Sequence, residues 1–87
     1  MPTVYIPSLL RHLTAGQDTV TATGATVGAI IDSLDQSFPG MKDRLCDGDR
    51  LRSGISVVVD TEVSRLGLRH PLEETSEVHF LPQIAGG

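Results

Sequence analysis

The sequence predicts an α+β domain, with one main helix packed on a mixed sheet of about four to five strands. Three observations carry that prediction. A single run with helical apolar spacing, Val27, Ile30, Ile31, Leu34 and Phe38, lies between short β-favouring segments. Those segments begin almost at the first residue and return close to the last. No repeat or low-complexity tract separates them, and 87 residues allow one domain at most.

Each element follows in order. Thr3-Val4-Tyr5-Ile6 reads as a first strand, ended by Pro7. Leu9, Leu10 and Leu13 then take a helical spacing, so a short helical turn is expected, closed by Ala15-Gly16. Thr19 to Ala22 reads as a second strand, stopped by Gly24. Thr26 suits the N-cap of the main helix, because its hydroxyl can accept from an amide of the first turn. Asp32, Asp35 and Gln36 fall off the apolar stripe and are expected to face water. Gly28 permits close packing near the first turn. Pro39-Gly40 ends the helix, and Met41 to Leu45 allows one more turn. Asp47 to Gly54 reads as a polar loop. Ile55 to Val59 is the clearest strand, followed by a turn at Asp60-Thr61 and a short return strand over Glu62 to Arg65. Leu66 to Thr75 is irregular, with Pro71-Leu72 tucking one apolar side chain inwards. Glu77 to Leu81 is the last strand, ended by Pro82.

Alternation along strands sends successive side chains to opposite faces. It directs Val4, Ile6, Ile55, Val57, Val59, Val78 and Phe80 towards the helix. Tyr5, Val58, His79 and Leu81 then lie on the other face.

Composition excludes several function classes. Aromatic residues are 3% of the chain, too few for a base-stacking platform or an aromatic cofactor box. The net charge is −4 with no basic stripe, so nucleic acid is not an expected partner. The acidic balance keeps a small protein soluble or steers it towards a basic partner. One cysteine, Cys46, cannot form an intramolecular disulfide. No signal-peptide pattern opens the sequence and no apolar run is long enough for a bilayer, so no membrane partner is expected and a reducing cytoplasm is the simplest compartment.

The last strand runs directly into Gln83-Ile84-Ala85-Gly86-Gly87. At a glycine usage of about 7%, a chance Gly-Gly at these two positions is a roughly 0.5% event. A domain over residues 1–82 with a flexible tail over residues 83–87 is therefore expected. From Pro82 to Gly87 the chain reaches at most ~20 Å. Glycine carries no side chain, so Gly86 and Gly87 can enter a narrow channel in another protein. A carboxylate presented there is a poor electrophile. It must be activated, as ATP does by forming an acyl-adenylate, before a nucleophile can attack it.

Over essentially its whole length the sequence resembles the ubiquitin-like sulfur carriers, the group containing the small subunit of molybdopterin synthase and the thiamin-pathway sulfur carrier. The most specific stretch runs from His70-Pro71-Leu72 through Glu77-Val78-His79-Phe80-Leu81-Pro82 to Ala85-Gly86-Gly87. Ile6-Pro7-Ser8-Leu9-Leu10-Arg11-His12-Leu13 is similar to the opening of the molybdopterin-type members. Phe38-Pro39-Gly40, Arg44-Leu45 and Arg50-Leu51-Arg52 look more like the carriers of a cysteine-synthase route. Asp60-Thr61 and Glu74-Thr75-Ser76 depart from turn sequences that many members carry.

The resemblance implies a ubiquitin-like β-grasp fold and a carrier rather than an enzyme. It implies an E1-like adenylating partner that spends ATP on Gly87, with no cofactor bound by the carrier itself. A persulfide or sulfide source then leaves a thiocarboxylate, and a sulfur-accepting synthase uses it. Gly86, Ala85 and Ile84 would thread the partner's active site. Partners would dock on the sheet face opposite the helix, with Tyr5, Pro7, Val58, Val63 and Leu81 as candidates. For Leu81, beside the tail, an interface is the favoured reading; for Val58 and Val63 an ordinary exposed surface weighs equally. Two other functions stay open: a protein modifier joined to lysines through Gly87, and an interaction module with an inert tail.

The remaining chemistry-bearing residues form no site. Cys46 has no Cys-His arrangement. His12, His70 and His79 lack metal-ligand spacing, and His79, alternating outwards on its strand, reads as solvated. Asp47, Asp49 and Asp60 do not make a calcium loop. No glycine-rich phosphate loop is present, so in the implied cycle the ATP site belongs to the partner.

Overall fold

The computed structural model describes residues 1–82. Five strands form one mixed sheet: β1 (Thr3–Tyr5), β2 (Thr19–Thr21), β5 (Ile55–Val59), β6 (Glu62–Val63) and β7 (Glu77–Pro82). Two more, β3 (Cys46–Asp47) and β4 (Arg50–Leu51), pair as a separate small hairpin. The main helix is α1 (Val27–Ser37), followed by α2 (Met41–Leu45), with 3-10 helices at Ser8–Thr14 and Gly67–Arg69. The sheet order is β2-β1-β7-β5-β6, so the first and last strands are neighbours at its centre. They run parallel, and every other pair in the sheet is antiparallel. This is the β-grasp arrangement, one helix held by a five-stranded mixed sheet.

The core is where alternation predicts it. Val4, Ile6, Val57, Val59, Val78 and Phe80 are buried against Val27, Ile30, Ile31 and Leu34 of α1, with Ile55 half-buried at the edge of the cluster. Thr26 caps α1 as expected: the Ala29 N–H donates to its Oγ1 at 3.2 Å. Phe38 closes the helix at φ −132° and ψ 82°, outside the α region that Pro39 disfavours for the residue before it. Gly28 takes its place on α1 because the second 3-10 helix presses there. A Cβ on Gly28 would stand 3.2 Å from the Leu68 carbonyl oxygen.

Three local expectations need correction. Asp35 does not simply face water, since its Oδ1 accepts from the Gly40 and Lys42 amides (3.2 and 3.0 Å) and so caps α2. The stretch 47–54 is not loop throughout. Gly48 takes φ +69°, which a two-residue turn permits at its first central position, and the flanking pairs close into the β3–β4 hairpin. Pro82 is not outside the last strand; it pairs with Ile55 as the last described residue of β7.

Candidate functional site

The candidate site is organised by β7, the strand that leads to residues 83–87. Register with its neighbours sets a row across the sheet. Tyr5 of β1 faces His79 of β7, His79 faces Val58 of β5, and Val58 faces Val63 of β6. All four side chains stand on the face opposite α1, because the alternate residues Val4, Val78, Val57 and Val59 are buried beneath it. Leu81 lies one step further along β7 on the same face, opposite Ser56. Leu81 and Val63 are 50% and 62% exposed, and Tyr5, Val58 and His79 are half-buried. The structure thus brings together four of the five predicted docking residues in one contiguous patch.

Pro7 does not join that row. The strand ends at Tyr5, and the Pro7 carbonyl already accepts the Leu10 amide as the first 3-10 helix begins. Pro7 instead lines a cleft of about 380 Å³ with Leu9, Leu10, Arg44, Ile55 and Pro82, next to the last described residue of β7.

His79 is the residue that sequence reasoning missed. Far from being simply solvated, its ring stacks on Tyr5, with centroids 4.0 Å apart and planes within 6°. Its Nε2 lies 3.9 Å from Glu77 Oε1, an ion pair when the imidazole is protonated. Parallel pairing of β1 with β7 creates this contact, and strand-by-strand alternation does not disclose which strands are neighbours. Ile84, Ala85, Gly86 and Gly87, the predicted tail and its reactive terminus, lie outside the described residues.

Comparison with known proteins settles the family: the ThiS family model matches residues 4–87. The chain belongs to the ThiS family. Among curated proteins it is similar to the sulfur carrier protein CysO of Mycobacterium tuberculosis, 37% identical over 90 residues, covering 98% of this chain and 97% of that one. Among solved structures it matches a chain of the Amycolatopsis orientalis BexX/CysO complex, with a TM-score of 0.93, 38% identity and full coverage of both chains. It also matches SAMP1 from Haloferax volcanii, with a TM-score of 0.78 and 26% identity over 99% of this chain and 98% of that one.

As a ThiS-family protein of the CysO type, it is a sulfur carrier and not a catalyst, delivering sulfur as a thiocarboxylate for biosynthesis. Carriers of this family bind no cofactor and are activated by an E1-like partner. Among the described residues of this ThiS-family chain, no three His, Cys, Asp or Glu side chains gather to hold a metal. No described helix is long and apolar enough to cross a membrane.

Cys46 of this carrier is buried at the end of α2, 5% exposed. Burial pushes its thiol pKa up, which favours the protonated, less nucleophilic form. Alkylation by iodoacetamide near neutral pH is expected to run at least about tenfold slower in the native chain than in denaturant. Equal rates in the two states would show that the thiol is open to attack.

Proposed function

We propose that Gly87 is the group that carries the sulfur, and that residues 83–87 form the arm presenting it while residues 1–82 form the docking domain. An E1-like enzyme joins the Gly87 carboxylate to the α-phosphate of ATP and releases pyrophosphate. Sulfide attacks the resulting acyl carbon, AMP leaves, and a thiocarboxylate remains. Ile84, Ala85 and Gly86 thread the partner's channel, and the small side chains of the last three residues keep the arm narrow. Leu81, Tyr5, Val58 and Val63, with the His79 ring between them, supply the docking patch. In this reading a sulfur-accepting synthase follows the activating enzyme, and the cycle runs in the cytoplasm.

The observation that carries this reading is a family match that runs through residue 87, with β7 fixed at the centre of the sheet just before the arm. Likeness to CysO favours a cysteine-synthase type of acceptor, and the A. orientalis BexX/CysO complex is a precedent for such a carrier seated on a second protein.

A second reading, conjugation of Gly87 to lysines of other proteins, is favoured by the likeness to SAMP1, a small archaeal modifier protein. One reaction separates the two. The chain is incubated with an E1-like adenylating enzyme, ATP and sulfide, then weighed intact. Exchange of one terminal oxygen for sulfur is expected to add about 16 Da. Unchanged mass would overturn the carrier role of Gly87. Higher-mass isopeptide conjugates on a denaturing gel, formed when a lysate is added without sulfide, would support the modifier reading instead.

A further inference from the structure

The chain has six arginines and one lysine against eleven carboxylate side chains. Two arginines are used by the fold: Arg11 Nε donates to the Ile6 carbonyl at 3.1 Å, and Arg52 Nε to the Asp43 carbonyl at 2.9 Å. Three others, Arg50, Arg65 and Arg69, line a single cleft of about 370 Å³. Asp49 is the one carboxylate on its wall among the described residues. None of the three guanidinium groups has an ion pair or a side-chain hydrogen bond among the described residues, where the ion pairs are Met1–Glu74, Lys42–Asp32 and His79–Glu77. All three arginines are exposed. The cleft also has apolar walls: Leu51 and Leu68 are half-buried and Leu66 is 48% exposed.

The cleft is assembled from two segments far apart in sequence, and both are anchored. Arg50 sits on the β3–β4 hairpin, which packs against the second 3-10 helix. Arg65 and Arg69 flank a loop gathered on Ser64. Ser64 Oγ accepts from the Leu66 and Gly67 amides at 3.1 and 3.2 Å and lies 2.7 Å from His70 Nδ1. With both oxygen lone pairs engaged, hydrogen accounting assigns the hydroxyl proton to the bond with Nδ1. The loop also has a defined place on the sheet. Ser64 N–H donates to the Val57 carbonyl at 2.9 Å, and Val57 faces Phe80. This bond ties Ser64 to β5 at the level of Phe80, and Arg65 is the next residue along the chain.

We propose that this arginine-lined cleft docks an acidic, leucine-bearing segment of a partner protein. Three like charges lining one cleft against a single carboxylate, Asp49, are eased by further carboxylates, and each guanidinium fork can engage both oxygens of one. Leu51, Leu66 and Leu68 offer contact to an aliphatic side chain, which a bare anion would leave unused. The rest of the chain is net acidic and repels such a segment, so the cleft fixes where it lands. This surface goes beyond the chemistry of Gly87. Its test reads binding alone, so either proposal can fail without the other.

The test is an amide-shift titration of the isotope-labelled full chain with the peptide Glu-Glu-Leu-Glu-Glu. A lysine counterpart and inorganic phosphate serve as comparison probes. Saturable shifts at residues 49–51 and 65–69 are expected. They should vanish at about 1 M salt, where the Debye length is about 3 Å. R50E/R65E/R69E should weaken binding at least about tenfold, while R50K/R65K/R69K, which keeps the charge, should retain part of it. The proposal is overturned by an absence of saturable shifts, by shifts centred on Tyr5, His79 and Leu81, or by binding undiminished in the glutamate variant. Equal shifts with phosphate alone would also overturn it, marking a simple anion site.

Discussion

Removing Gly86 and Gly87 is expected to abolish thiocarboxylate formation while leaving the melting temperature within about 2 °C of the full chain. The two halves of that expectation have separate causes. Truncation moves the terminal carboxylate onto Ala85 and shortens the reach from Pro82 by about 7 Å. An activating site built for a distant, side-chain-free glycine then meets a methyl group and a carboxylate in the wrong place. Stability is expected to hold because the buried core among the described residues is already continuous from Val4 to Phe80. Intact mass after incubation with the activating enzyme, ATP and sulfide reads the first half, and a calorimetric scan reads the second. A truncated chain that still gains sulfur, or one that melts more than about 5 °C lower, would contradict the division between domain and arm.

Phe80→Ala should do the reverse. Phe80 is 2% exposed, faces Val57 across the β5–β7 ladder, and belongs to the core beneath α1. Deleting a buried phenyl ring costs about 3–5 kcal/mol, the lost transfer free energy together with the cavity left behind. A domain of this size has about 5–15 kcal/mol in total, so the melting temperature should fall by about 15–30 °C. The arm is intact, so molecules that remain folded at low temperature should still accept sulfur at near the normal rate. Loss of loading in step with the unfolded fraction is the expected result. Loss at a temperature where circular dichroism shows a native fold would assign Phe80 a direct part in docking.

The sequence carried a large part of the fold because its signals were local. The α1 stripe, the Thr26 cap, the Pro39 stop and the alternation in β5 and β7 each depend on residues within a few positions of one another. What escaped depended on partners far away in sequence. His79 reads as a solvated strand residue until β1 is known to lie beside β7, which puts Tyr5 under its ring. Asp35 reads as a polar-face residue until α2 folds back and presents two amides to it. The β3–β4 hairpin has only two residues per strand, too few for a period of two to register. The arginine cleft joins Arg50 to Arg65 and Arg69, which no spacing rule connects. At the candidate site, alternation alone put Tyr5, Val58 and Leu81 on one face, whereas Val63 and the docking role of that face came from the family resemblance. Pro7 falls outside the row on that face because β1 ends at Tyr5, one residue earlier than the pattern implied.

The central place of β7 has a mechanical consequence. A pull applied along this strand from its Pro82 end meets β1 on one side and β5 on the other. The force runs along the strand axis, so the hydrogen bonds of both ladders are sheared together and are not peeled open one at a time. If the proposed arm is drawn by its end into a partner's channel, the load falls on the strand that two ladders hold.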